Sequence, residues 1–222
     1  MEFQSAKESN NIEPLHFSQK VAINSLPYIF EGDIPTSRKP AANFTSRWSV
    51  AVPNWQKQAE EIKELMRSKK MSHALPAELD LFEREKGSVG GINIDLRNNY
   101  IELVHIGTKT WIISTESKYH DANGVGSFLL KNFLTFADIK GLPTFLIPCP
   151  DGSSPLSNDA TVDWYKRHGF QWIHDMSDKK DLPDGYGDMV RMPQEPDISQ
   201  PITLILRNSK NNKALLTQEV NI

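Results

Sequence analysis

The chain has 222 residues, of which 38% are hydrophobic, and its formal net charge is -3 at pH 7. This length suits one domain of ordinary size with additional segments, rather than two full domains. The acidic balance provides no global positive field that would hold a polyanion, so we do not expect a nucleic acid as partner.

The single cysteine, Cys149, cannot form a disulfide within the chain, and the N-terminus lacks the basic-then-apolar pattern of a secretory signal. No apolar run approaches the roughly 20 residues that span a bilayer. We therefore expect a cytoplasmic protein. Prolines flank Cys149 and no partner histidine is indicated, which predicts a small buried residue rather than an activated thiolate.

Residues 1–85 are predicted to be an N-terminal extension. Residues 1 to about 46 are rich in Asn, Ser, Lys, Glu and Pro, which indicates an arm on the domain or a partly disordered segment. Around residues 54–69, apolar side chains recur at helical spacing with charges on the opposite face, which predicts a helix of about four turns. A second short helix is predicted before Gly87.

The pattern changes to that of strands at residue 86, where we predict a domain that extends to residue 193. Residues 88–96 and 100–107 are rich in β-branched residues and are separated by a short polar turn, which predicts a hairpin. Residues 110–115 predict a third strand. The domain is thus expected to contain a mixed, mostly antiparallel central sheet with flanking helices.

One βαβ unit follows. Residues 127–140 carry the broad apolar stripe of a buried helix that Gly141 ends, and residues 144–147 form a short apolar strand. A strand, a glycine turn, a helix and another strand predict that the two strands of this unit lie parallel.

The rest of the chain predicts one more helix, two strands and a tail that spans residues 194–222. Within the tail we expect a hairpin around a polar turn. The predicted segments are a helix at 159–167, strands at 170–174 and 189–192, and the hairpin of 202–206 with 214–216.

The turn at residues 121–127 contains Gly124 and Gly126 and joins a predicted strand to the start of the long helix. Glycine has no Cβ, so the backbone can approach a ligand closely, and the N–H groups at a helix start suit a diphosphate. A purely structural helix start has the same glycines. The surrounding sequence is needed to distinguish a diphosphate-binding turn from a purely structural helix start.

That surrounding sequence resembles the GCN5-related N-acetyltransferase (GNAT) family. The family has a Q/R-x-x-G-x-G/A motif at a strand-to-helix turn, and Gly124, Val125 and Gly126 occupy its G-x-G part. Position 121 is Asp, where the family prefers Gln or Arg. This carboxylate either caps the helix or weakens binding of a diphosphate.

A second motif strengthens the resemblance. The family has an Asn seven residues before a Tyr, followed four residues later by Gly-Phe, and Asn158, Tyr165, Gly169 and Phe170 stand at that spacing. The two motifs occur in the family's order, and the resemblance covers roughly half of the chain.

The resemblance implies an acetyl-coenzyme A (acetyl-CoA) cofactor, no metal, and transfer of the acetyl group to a primary amine. The pantetheine arm would enter a wedge between the parallel strands, Asn158 would hydrogen-bond that arm, and Tyr165 would protonate the departing thiolate. The cofactor residues implied are Thr115, Ala122, Asn123, Gly124, Val125, Gly126, Ser127 and Asn158.

The general base is assigned among the carboxylates of the predicted strands. Glu102 is the first choice and Glu116, near the end of the next strand, the second. Alternation along the strand places Glu102 and His105 on opposite faces, so only one of them can serve the same side of the cleft. Each carboxylate also has the simpler interpretation of an exposed strand residue.

The acceptor is not encoded in a motif, because such sites are built from variable loops. A polyamine or amino sugar, a peptide amine and an aminoacyl-tRNA remain alternatives, and the acidic balance argues against the last. The extension is a candidate surface for a protein partner or a second copy of the chain. The alternative to an enzyme is a catalytically weak or inactive GNAT-fold module that binds coenzyme A or a protein.

Overall fold

The structure, a computed structural model, describes residues 14–35, 44–69, 74–109, 123–149, 157–177, 182–183 and 187–210. The strands are β1 (Pro14–Ile23), β2 (Leu26–Pro35), β3 (Phe44–Ala51), β4 (Ser88–Leu96), β5 (Ile101–Thr108), β6 (Thr144–Leu146), β7 (Gln171–Trp172) and β8 (Met189–Arg191). The helices are α1 (Trp55–Lys69), α2 (Ala74–Arg84), α3 (Val125–Lys140), α4 (Asn158–Arg167) and α5 (Pro201–Lys210).

The strands form one sheet in the order β1-β2-β3-β4-β5-β6-β8-β7. Every neighbouring pair is antiparallel except β5 and β6, which are parallel. The expected class, a mixed α/β fold with a mostly antiparallel sheet, is confirmed at this level. In the described part of the chain, no helix is long and apolar enough to cross a membrane.

The N-terminal residues form strands of this sheet, so the predicted arm or disordered segment is wrong for residues 14–35 and 44–46. β1 and β2 pair along all of their ten residues each, and β3 joins β2 to β4. The average composition of the segment hid an alternation of buried and exposed side chains, which is the pattern of a strand with one covered face.

An aromatic cluster joins these N-terminal strands to α3. Phe30 of β2 lies edge-on to Phe128 of α3, with 5.2 Å between ring centroids, and to Trp48 of β3 at 5.9 Å. Trp48 in turn packs against Phe136, at 5.6 Å. Burial of large aromatic side chains is a major source of folding free energy. Strands that precede residue 86, the predicted domain boundary, therefore share one core with a helix that follows it.

The predicted helix at 54–69 and the hairpin of 88–96 with 100–107 are confirmed by α1, β4 and β5. The third predicted strand, residues 110–115, lies outside the described residues. The strand that pairs in parallel with β6 is β5. The predicted strand at 170–174 is shorter, because a 3₁₀ turn, Ile173–Asp175, follows β7.

The tail contains a helix at residues 202–206, where a strand of a hairpin was predicted. Ile202, Ile205 and Leu206 are buried at the i, i+3 and i+4 spacing of a helix face. The buried Asn132 of α3 accepts a hydrogen bond from the Ile202 N–H, at 3.1 Å, and so caps the start of α5. Residues 214–216 lie outside the described part.

Candidate functional site

The glycine turn at the start of α3 is the centre of the candidate site. Gly124 is the N-cap residue in a left-handed conformation, with φ 83°, and no described side chain caps the helix by a hydrogen bond. The first N–H groups of a helix have no acceptor within it, and a left-handed residue followed by helical ones forms a concave row of N–H groups. Such a row is an anion-binding geometry.

The predicted cofactor residues are only partly described. Asn123 is exposed, Val125 is buried, and Gly124, Gly126 and Ser127 are half-buried in the turn and the first turn of α3. Thr115, Ala122, Asp121 and Glu116 lie outside the described residues.

The glycine turn rests on the ends of β4 and β5. A Cβ added to Gly90 of β4 would lie 2.7 Å from Val125 Cγ1. The close approach of α3 to the strand backbone therefore requires a residue without a side chain at position 90. A Cβ on Gly126 would lie 3.4 Å from Thr108 Cγ2, at the end of β5. The start of α3 is thereby held beside the C-terminal end of β5.

The sheet splits near this turn. β6 pairs with β5 only at residues 101–103, whereas β5 continues along β4 as far as Thr108. A β-bulge lies where the strands part, because His105 is opposite Asn93 and Leu103 is opposite the next residue of β4. The extra residue is Val104, which is 54% exposed. Beyond Leu103, the outer edge of β5 pairs with no described strand.

The bulge also changes which side chains share a face. Glu102 is opposite Asp95 of β4, and His105 is opposite Asn93 of β4. Asp95 and Asn93 are two positions apart in an extended strand, so their side chains point to the same face. Glu102 and His105 therefore lie on one face of the sheet. The prediction that they lie on opposite faces is wrong, because the additional residue of a bulge interrupts the alternation.

Glu102 and His105 differ in accessibility. The side chain of Glu102 is 18% exposed, and Arg97 Nη2 lies 3.9 Å from its Oε2 and 3.0 Å from Asp95 Oδ2. Thr45 donates a hydrogen bond of 2.7 Å to the same Asp95. His105 is exposed, and its ring occupies the space above Gly107. His105 is thus the more accessible of the two groups that could accept a proton.

α4 carries the other two predicted site residues. Ser157 caps the helix by accepting a hydrogen bond from the Ala160 N–H, at 3.3 Å, so Asn158 stands exposed at the first helical position. Tyr165 lies two turns later, on nearly the same side of the helix. The two side chains are therefore aligned along one stripe of α4.

Tyr165 is packed among aromatic rings. Its ring centroid lies 4.9 Å from that of Trp164 and 5.6 Å from that of Phe170, the aromatic residue of the Gly-Phe pair. Burial raises the pKa of Tyr165 to about 12, because the phenolate would lose its hydration. A phenol is protonated at neutral pH even at its ordinary pKa, and the raised pKa extends this protonated state into alkaline solution.

Asn24 is a neighbour of the glycine turn that the sequence analysis missed. Its side-chain nitrogen donates a hydrogen bond of 2.9 Å to the Asn123 carbonyl. The signal was an Asn-Ser pair between two segments of alternating hydrophobicity, which is a weaker hairpin sign than Asn-Gly.

Two further side-chain predictions concern cysteine and metal. Cys149 is exposed, so the prediction of a buried residue is wrong; it follows β6, beyond the end of the sheet core. Among the residues that the structure describes, no group of three or more His, Cys, Asp or Glu side chains is placed to hold a metal ion.

Comparison with known proteins gives little similarity. No family model matches the chain, and no curated protein matches it significantly. Among solved structures, the crystal structure of the anti-CRISPR protein AcrVA5 is similar, with 19% identity and a TM-score of 0.31, over 46% of this chain and 86% of that chain. A similarity at this level carries no argument about the fold or function of this chain.

Proposed function

We propose that the protein is an acyl-CoA-dependent N-acyltransferase of the GNAT type, which transfers an acetyl group from acetyl-CoA to a primary amine. The observation that carries the proposal is the split between β5 and β6 at the Val104 bulge, beside the glycine turn of α3. Where a strand edge has no partner strand, its backbone N–H and C=O groups can form hydrogen bonds with an extended, amide-containing ligand. The concave N–H row at the end of the same strand suits that ligand's diphosphate.

The residues present fit such a cofactor. The N–H groups around Gly124 and Gly126 would hold the diphosphate, the open edge of β5 would hold the pantetheine amides, and Asn158 would contact the arm from α4. Acetyl-CoA supplies an activated thioester when bound. The chain's part is to orient the amine against it and to exclude competing water, which are the main sources of rate in such transfers.

Two proton transfers accompany the reaction. With acetyl-CoA and an amine bound, the C–N bond would form while the C–S bond breaks. The Tyr165 phenol would give its proton to the leaving sulfur, and a base would accept the proton of the amine. Glu102 remains the first candidate for that base. His105 becomes the second, because it shares the face of Glu102 and is more exposed.

The test is calorimetric titration of acetyl-CoA into the wild-type protein, the Gly126→Trp variant and the Lys131→Trp variant. Lys131 is an exposed residue of the same helix, away from the turn, so it controls for a tryptophan on α3. We expect wild-type and Lys131→Trp binding with equal affinity, and binding about 100-fold weaker in Gly126→Trp, a loss of about 2.7 kcal/mol.

Equal affinity in all three proteins, or no wild-type binding at millimolar acetyl-CoA, would contradict the proposal. A second candidate function is a GNAT-type module that binds coenzyme A without turnover, which the partly shielded position of Glu102 favours. Wild-type binding without release of thiol in a screen of amines would support this second candidate.

A further inference from the structure

The tip of the β1–β2 hairpin touches the glycine turn that begins α3. Asn24 and Ser25 are the two central residues of the hairpin, and both have positive φ angles, of 50° and 67°. The side-chain nitrogen of Asn24 donates to the Asn123 carbonyl and also lies 2.9 Å from the place that a Cβ on Gly124 would take. Two turns that are 99 residues apart in sequence are therefore in direct contact.

This hydrogen bond fixes the peptide plane between Asn123 and Gly124. In a planar trans peptide, the C=O and the N–H that follows it point in opposite directions. Because the carbonyl is held toward Asn24, the Gly124 N–H points away from the hairpin. A carbonyl turned the other way would present its negative end to an approaching anion.

The same hairpin also supports the start of α3 by packing. Phe30, on β2, contacts Phe128 in the first turns of α3. The hairpin therefore restrains the turn at two points, one by a hydrogen bond to the main chain and one by an aromatic contact. The two restraints together give the N–H row a fixed orientation before a ligand arrives, which lowers the cost of binding.

We infer that Asn24 is a positioning residue for the cofactor diphosphate, and that the N-terminal hairpin is part of the cofactor site. The inference rests on the proposed function, since it concerns binding of the same cofactor. Asn24 acts through the Asn123–Gly124 peptide and does not contact the reacting atoms.

The test compares Asn24→Gly with Ser25→Gly in the full chain. Both substitutions place glycine at a positive φ, which glycine adopts without strain, so both leave the hairpin intact. Only Asn24→Gly removes the hydrogen bond to Asn123. We expect the Kd for coenzyme A to rise about three- to tenfold in Asn24→Gly, the factor that one hydrogen bond supplies, and to stay at the wild-type value in Ser25→Gly.

Pantetheine, which lacks the diphosphate, provides the second readout. Its binding, followed by NMR titration, should be the same in the wild type and in Asn24→Gly. If coenzyme A binds both variants equally well, or if Asn24→Gly weakens pantetheine and coenzyme A alike, Asn24 has no specific role at the diphosphate and the inference is overturned. Absence of coenzyme A binding in the wild type instead contradicts the proposed function itself.

Discussion

At the scale of single residues, the side chain of Tyr165 shows how packing raises the pKa of a phenol. The aromatic rings of Trp164 and Phe170 surround it, and burial raises its pKa to about 12. A phenol in that environment is protonated throughout the physiological range, so it can donate a proton but does not accept one at rest. This favours the general-acid role that the motif implied over the role of a base.

We predict that Tyr165→Phe lowers kcat for acetyl transfer about 100-fold, because a positioned general acid contributes factors of that order. The Kd for acetyl-CoA should not change, since phenylalanine retains the ring and its contacts. In the wild type, kcat should show no decline from loss of this proton until the pH approaches the raised pKa of about 12. Thiol release and calorimetry measure the two quantities, and a parallel loss of binding and turnover would argue for a structural role of Tyr165.

At the scale of secondary-structure elements, the approach of α3 to the sheet determines where its glycine turn lies. Gly90 faces α3, and a Cβ there would meet Val125 Cγ1 at 2.7 Å and the Gly107 carbonyl oxygen at 3.2 Å. Its neighbour Gly91 points to the other face, where the nearest atom to such a Cβ is the Trp48 carbonyl oxygen at 3.3 Å. Substitutions at Gly90 and Gly91 therefore test the packing on the two faces of β4 separately.

We predict that Gly90→Ala lowers the free energy of unfolding by about 1–3 kcal/mol, the usual cost of overpacking a close contact. The start of α3 must move away from β4, so the Kd for acetyl-CoA should rise as well. Gly91→Ala serves as the matched control and should have a smaller effect on both quantities. Urea unfolding and calorimetry measure them, and equal effects of the two substitutions would show that the contact with Val125 does not restrain the helix.

At the scale of the whole molecule, one core includes elements from both ends of the described chain. Phe17, Phe30 and Trp48 of the first three strands pack into the same cluster as the helix α3. At the other end, Asn132 of α3 accepts a hydrogen bond of 3.1 Å from the Ile202 N–H at the start of α5. These contacts span the boundaries predicted near residues 86 and 193.

We predict that a fragment of residues 86–193 does not fold, because β4 loses its pairing with β3 and the core loses the N-terminal aromatic side chains. A fragment of residues 14–210, which retains every described element, should unfold cooperatively. Circular dichroism and thermal unfolding compare the two. Cooperative unfolding of the shorter fragment would mean that the predicted boundaries enclose an independent domain.

Local patterns in the sequence were sufficient for several elements. The helical spacing of α1, the strand pattern of the β4–β5 hairpin and the apolar stripe of α3 each depend on residues close together in the chain. The glycine turn and the alignment of Asn158 with Tyr165 are local in the same sense, since they follow from helix geometry and from glycine's lack of a Cβ. These parts of the candidate site could be predicted without knowledge of the fold.

Long-range contacts decided the rest. Composition could not reveal that β1 and β2 join the sheet, because the two strands are stabilised by pairing with each other and by an aromatic contact between β2 and α3, far along the chain. The Val104 bulge, which brings Glu102 and His105 to one face, exists only through the register with β4. The contact of Asn24 with Asn123 likewise needs both turns in place. The sequence alone therefore determined the local elements and the motif residues, whereas only the tertiary structure determined which of them meet, because strand register and packing depend on residues distant in sequence.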